Sequence, residues 1–241
     1  MSEIADKRFA VLIDADNVSD KYVKFIMEEI LNDGIITYKR IYGDFTKPNL
    51  SSWKSLLLNY SITPMQQYSY TTGKNSTDSA LIIDAMDILY SKNVDGFCIV
   101  SSDSDFTKLA SRLRESGMYV IGMGEKKTPM PFVSACNRFR YLEILNSKPS
   151  KFVASDDLTS EKIEEAVTAI LNEVSDDDGW ASLSQIGNIL SKRFPSFDVR
   201  HFGFNKLMPF IESMGSFDIK ASASNGPRNI KVVYIRKKGV N

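Results

Sequence analysis

The chain has 241 residues, 43% of them hydrophobic and 25% charged; this excludes global disorder and leaves room for one large domain or two modest ones. Lys+Arg 30 and Asp+Glu 30 cancel, so the overall charge does not advertise nucleic acid. Cys98 and Cys136 are too few for a disulfide framework or a zinc spacing. No secretory leader or long apolar run is visible, so a soluble, cytoplasmic protein with no membrane contact is expected.

Phe9–Ile13 is apolar, predicts a buried strand, and runs straight into Asp14-Ala15-Asp16-Asn17. Val23, Ile26, Met27 and Ile30 have helical spacing, and Gly34 stops that helix. Ile35–Tyr42 reads as a strand, Ser51–Tyr60 as a short helix, and Ile62–Gln67 as a short strand that Pro64 consigns to an edge or a strand start. The polar stretch Thr71–Thr77 is a loop opening a helix over Ser76–Ser91, which is apolar nearly all round and so is expected to be well buried.

Phe97–Val100 is the next buried strand, and it ends in Ser101-Ser102-Asp103-Ser104-Asp105-Phe106. Phe106, Leu109, Ala110 and Leu113 continue as a helix ending at Gly117. Tyr119–Met123 is a strand, Pro131–Ala135 a short helix and Phe139–Leu145 a last strand. Strands alternating with helices predict a parallel sheet covered on both faces.

Composition shifts to serine, proline and charge over Asn146–Asp157, dividing the chain into 1–147, a linker 148–157, and 158–238. Ile163, Ala166, Val167, Ile170, Leu171 and Val174 form an amphipathic helix, broken by Asp176-Asp177-Asp178-Gly179. Ser182 and Gln185 have capping-box spacing before a second helix. A third helix is expected over Phe202–Ser213, kinked at Pro209. Phe217–Ala221 and Ile230–Ile235 flank Asn225-Gly226-Pro227 as a hairpin, so the second part reads as a winged helix.

Two strands thus end in acids, and ligands bind at the carboxyl ends of strands in open α/β sheets. Asp78, at the start of the long helix, adds a third contribution. Two carboxylates 4 Å apart repel by roughly 4 kcal/mol at an effective dielectric near 20, so a cluster of Asp14, Asp78, Asp103 and Asp105 calls for divalent cations. Mg2+ or Mn2+ held by carboxylates and waters suits phosphate-ester hydrolysis. Each acid also has a plain structural reading. Asp105, ahead of a helix, has the position of an N-cap; Asp16 and Asp20 read as solvated or capping; Asp84 lies off the face of Asp78. Asn17 is a turn former or a water-orienting group, and Lys74 reaches a phosphate or sits in solvent. His201, the one histidine, falls in the other domain, and there is neither GxGxxG nor GxxxxGK[ST]. After Asp218 the chain holds no acid but carries Lys220, Arg228, Lys231, Arg236, Lys237 and Lys238, which fits phosphate contact as well as a solvated tail.

Leu12-Ile13-Asp14-Ala15-Asp16-Asn17, Lys74–Asp78 and Val100–Phe106 together resemble the NYN domain family, a branch of the PIN-like metal-dependent ribonucleases, over about residues 8–145. The resemblance implies a PIN-like α/β fold and a metal site at Asp14, Asp78, Asp103 and Asp105, with glycine in many relatives where Ser102 stands. Trp180, Ile186, Phe194-Pro195-Ser196-Phe197 and Arg200–Leu207 resemble a LOTUS domain, also called OST-HTH, over about residues 158–237. That likeness implies a winged helix that binds RNA, single-stranded or structured; by their charge, Lys220, Arg228, Lys231 and Arg236 on the hairpin, with Lys206 on the preceding helix, are the candidate contacts. It leaves a protein partner, and self-association of the chain, open.

Two other functions compete. Asp14-x-Asp16 after a strand also opens haloacid-dehalogenase-like phosphatases, in which Asp14 would be a covalent nucleophile and Asp16 the acid, although the cap insertion of that family is missing. An RNA-binding adaptor with idle acids is the second.

Overall fold

The computed structural model of the chain describes residues 6–68, 76–145, 158–223 and 231–239. Lys74, the linker and the hairpin tip with Arg228 lie outside these residues. Two units divide the chain, Met1–Asn146 and Ser147–Asn241.

In the first unit, β1 (Arg8–Asp14) leads through a short 3-10 turn to α1 (Val23–Leu31). β2 (Ile35–Gly43) is followed by α2 (Trp53–Tyr60), and β3 (Thr63–Gln66) by α3 (Ser76–Ser91). β4 (Gly96–Val100), α4 (Thr107–Glu115), β5 (Tyr119–Gly124), α5 (Met130–Ala135), β6 (Arg138–Tyr141) and α6 (Leu142–Leu145) complete it. The six strands pair in the order β3-β2-β1-β4-β5-β6, and every pairing is parallel. Parallel neighbours require a return crossover, and the helices supply it.

The order reverses between β1 and β4, where Ile13 lies opposite Val100. A crevice opens at such a reversal because the flanking connections leave in opposite directions. Both central strands are wholly buried apart from Arg8, which explains their unbroken apolar runs. Phe9, Val11, Ile13, Cys98, Val100, Ile121 and Met123 meet α1, Trp53 of α2 and Leu142 of α6 on one face. α3 contacts β1 and β2, and α4 contacts β5 and α5. Arg140, 4% exposed, ties β6 to α1 and the turn after it through ion pairs with Glu29 at 3.0 Å and Asp33 at 2.6 Å.

The second unit begins with α7 (Ser160–Val174), capped by Thr159. A turn with Gly179 at φ +79° leads to β7 (Ala181–Ser182) and α8 (Leu183–Arg193). A 3-10 turn (Val199–Phe202), α9 (Leu207–Met214), β8 (Phe217–Ala223) and β9 (Lys231–Lys237) follow. β7, β9 and β8 form a small antiparallel sheet whose inner residues Ala181, Phe217 and Ile235 join the apolar faces of the helices. The architecture is therefore a parallel α/β sheet with a helical second domain bearing a small antiparallel sheet.

Four expectations need correction. α3 is not buried all round: Ile83 and Tyr90 are exposed, since only Thr77, Leu81, Ala85 and Ile88 face inward. The last strand of the first unit stops at Tyr141, and Leu142–Leu145 turns into a helical segment. Pro209 does not kink a helix. Gly203, at φ +83°, ends the 3-10 turn, α9 starts afresh at Leu207, and Pro209 falls in its first turn, where no intrahelical donor is needed. β7 is a third strand of the wing that two residues gave no period to detect. Among the described residues no helix is long and apolar enough to cross a membrane.

Candidate functional site

Asp14 is the last residue of β1 and is fully buried, a position that would be costly for a carboxylate without donors. Three donors meet it. Ser101 Oγ at 2.7 Å and Asn17 Nδ2 at 2.8 Å donate to Oδ2, and the Asp16 N–H at 3.1 Å donates to Oδ1. Burial nevertheless raises its pKa against all three donors. Asp16 is exposed and accepts from Thr77 Oγ1 at 3.0 Å, which stitches the β1 loop to the start of α3.

The end of β4 organises the other acids. Ser101 is buried, and its Oγ accepts from the Asp103 N–H at 3.1 Å. Asp103 is the N-cap of the 3-10 turn Ser104–Phe106, its Oδ1 accepting from the Asp105 N–H at 2.9 Å. The capping role thus belongs to Asp103, and Asp105 is the residue it caps. Gly124, at the end of β5, permits this packing: a Cβ there would lie 2.5 Å from both the Ser101 carbonyl and Thr128 Oγ1.

α3 returns antiparallel to the strands, so its first turn, with Asp78, arrives at the same edge. Asp78, Asp103 and Asp105 each offer an oxygen within 4.8 Å of the others. Asp14 is not among these three oxygen donors. Burial, and after it the charges of Asp14, Asp103, Asp105 and Asp16, pushes Asp78 up to about 6. Among the described residues no lysine or arginine pairs with Asp14, Asp78 or Asp103. An all-oxygen, anionic, part-buried donor set fits a hard divalent cation. Beside it an open depression of about 310 Å³ is lined by Asp16, Asn17, Asp20, Glu125 and Lys127, the last two paired at 2.9 Å.

Other acids near this edge serve the fold. Asp84 accepts from Arg40 and Tyr42, fastening α3 to β2. Asp44, after β2, accepts from Thr46 and, at 2.8 Å, from Gln66 Nε2.

In the second unit the wing carries a second constellation. Trp180 precedes β7, with Lys220 Nζ 3.9 Å and the Arg236 guanidinium 4.7 Å from its ring centroid. Lys220 lies opposite Tyr234 across β8 and β9, its Nζ 5.7 Å from that ring. Arg236 also pairs with Asp218 at 3.0 Å. Lys206 is exposed at the start of α9, on a different element. Lys231 opens β9.

The model of the NYN domain matches residues 8–143, more than half of the chain. The chain belongs to the NYN domain family. The OST-HTH/LOTUS domain model matches residues 159–228, after the NYN domain in the chain. None of the curated proteins matches the chain. Among solved structures, a protein of unknown function from Vibrio parahaemolyticus is 18% identical, with 58% of this chain and 94% of that one covered at a TM-score of 0.49. An uncharacterized protein from Nitrosomonas europaea is 30% identical, with 39% of this chain and 84% of that one covered at a TM-score of 0.31.

Within the NYN domain, the predicted residues Asp78, Asp103 and Asp105 come together, with Asp14 and Asn17 behind them joined by a hydrogen bond. The amide of Asn17 is spent on Asp14. Sequence reasoning missed Ser101 as the donor that holds Asp14 and Thr77 as the partner of Asp16. A hydroxyl directly after a buried strand, next to a strand that ends in an acid, is the signal that could have found Ser101. In the second unit, Lys220 and Arg236 come together around an aromatic ring that was not assigned to binding.

Proposed function

We propose that the NYN domain is a divalent-metal-dependent ribonuclease hydrolysing RNA phosphodiesters, and that the LOTUS domain holds the RNA. The observation that carries the reading is the convergence of three carboxylate oxygens within 4.8 Å at the reversal point of the sheet. Membership of the NYN family, a PIN-like nuclease lineage, supports it. Asp78, Asp103 and Asp105 would hold Mg2+ or Mn2+. Such an ion activates water and steadies the leaving oxygen of a phosphodiester. Ser101 and Asn17 hold Asp14 in place at the floor of the site, so they act as positioning residues. Lys74, beside this edge in sequence, and Lys206, Lys220, Arg228, Lys231 and Arg236 in the second domain are the proposed phosphate contacts. The boundaries 1–147 and 158–238 remain those proposed for the two domains.

Labelled RNA incubated with Mg2+ or Mn2+, with and without Asp103→Asn, is the direct test. The parent should cleave only with metal, and the variant should be inert while keeping its fold. Cleavage by Asp103→Asn at the parental rate would place the chemistry elsewhere; metal-independent binding without cleavage by the parent would make the chain an adaptor. A covalent phosphatase route through Asp14 is disfavoured, because that carboxylate is fully buried and accepts hydrogen bonds on both oxygens. Trapping of an aspartyl phosphate on Asp14 would reinstate it.

A further inference from the structure

We infer that the outward face of the β7-β9-β8 sheet is a stacking platform for unpaired RNA bases, with Trp180 and Tyr234 as the rings and Lys220 and Arg236 as the phosphate contacts. The inference rests on the proposal that the LOTUS domain holds RNA, and it specifies what kind of RNA and by which surface.

Strand alternation fixes which side chains share that face. Ala181, Phe217, Ile219, Val233 and Ile235 point into the helical core. In the register Ser182 lies opposite Tyr234, which lies opposite Lys220, while Arg236 lies opposite Asp218; all five therefore occupy the other face. An antiparallel sheet with one packed face leaves the other to water, where small or charged residues suffice. Here that face instead carries Tyr234, with Trp180 beside it, both half-buried and outside the apolar core.

The rings are at present covered by cations, and magnitudes decide whether a base can displace them. A cation over an exposed ring contributes about 0.5–1 kcal/mol. A base stacked on an aromatic side chain contributes about 1–3 kcal/mol, and every base has a face to offer. The exchange therefore favours the base and releases the cation to the adjoining phosphate. Lys220 is suited to this because no carboxylate among the described residues pairs with it. Arg236 is partly neutralised by Asp218 and is the weaker of the two. Duplex RNA keeps its bases stacked internally and offers no free faces, so the platform selects single strands.

The test uses the full chain in EDTA, so that no cleavage occurs, with three probes: a single-stranded oligoadenylate, the same strand paired with oligouridylate, and polyphosphate. Trp180 fluorescence, taken as the difference between the parent and Trp180→Phe, should be quenched by oligoadenylate and left unchanged by the other two. Trp180→Ala and Tyr234→Ala should each weaken oligoadenylate binding about tenfold, and Tyr234→Phe should restore it. Neither ring variant should alter polyphosphate binding, whereas Lys220→Ala should lower the salt dependence for every probe. If Trp180→Ala fails to fold, Tyr234→Ala carries the comparison. Parental affinity for oligoadenylate in a folded Tyr234→Ala protein would overturn the platform while leaving charge-based RNA targeting standing. Equal quenching by polyphosphate would overturn the platform and make the face a general anion surface. No binding of any RNA by the full chain would remove the targeting proposal along with it.

Discussion

Asp78 is the residue on which the electrostatics of the site converge. Burial and four neighbouring carboxylates raise its pKa from 3.8 to about 6. The folded state therefore holds this proton more tightly than the unfolded chain does. Protonated Asp78 stabilises the fold below the unfolded value, and that contribution is lost as pH rises toward about 6. Other acids act in the opposite sense: Arg8 holds Asp95 below its ordinary value, so its contribution is lost on acidification. The informative quantity is thus a difference. In EDTA, the Asp78→Asn protein should gain stability relative to the parent as pH rises from 4 to 7, read from thermal midpoints across that range. A flat difference would show that Asp78 feels no crowding. Ser101→Ala removes a donor from buried Asp14 and should cost about 1–3 kcal/mol by urea denaturation, with loss of cleavage. Cys98 and Cys136 are buried in apolar surroundings, and burial pushes the Cys136 thiol up to about 12. Both should resist a thiol reagent until the chain unfolds, as counted by mass spectrometry.

At the scale of elements, β6 is fastened to α1 by charges rather than by apolar contact alone. Arg140→Ala would take the most buried cation from Glu29 and leave Asp33 paired with Arg138 at 3.4 Å, and should cost about 3 kcal/mol in urea denaturation. Gly124→Ala should destabilise the end of β4, because its Cβ would lie 2.5 Å from the Ser101 backbone carbonyl and from the Thr128 hydroxyl. How far such features could be read beforehand follows from their range. Phe9–Ile13 and Phe97–Val100 announced buried strands because each is apolar without interruption, and Asp14 and Asp103 stood out because charge follows at once in the first and after two serines in the second. The bond from Ser101 to Asp14 was hidden, since it exists only once β1 and β4 are neighbours. Asp84 looked like a spare acid for the same reason; its partners Arg40 and Tyr42 sit on β2, which only the folded sheet brings beneath α3. Pro209 misled because a proline within an apolar run reads as a kink unless the preceding stop, at Gly203, is recognised. The ring–cation group of the wing depends on a strand of two residues, below the length at which alternation can be detected.

Over the whole molecule, the two units have separate apolar cores, one around α1 and β1, the other around α7 and β9. Limited proteolysis should cut between residues 145 and 158 and release two fragments, each with its own cooperative unfolding transition. A single resistant species of full length would show that the connection is protected.

The reversal of strand order between β1 and β4 also bears on how the chain reaches its native state. The three acids come from two separate stretches, the start of α3 and the turn after β4, and meet only once β4 has joined the sheet that α3 packs on, so an unfolded chain cannot offer the same cage. Any ion that prefers the assembled cage is therefore a ligand of folding. By mass action it should add about 2.7 kcal/mol of stability at a hundredfold excess over its dissociation constant. Mn2+ or Mg2+ should accordingly raise the melting temperature of the first unit and partly rescue a protein weakened at Arg140, while leaving the transition of the second unit where it was.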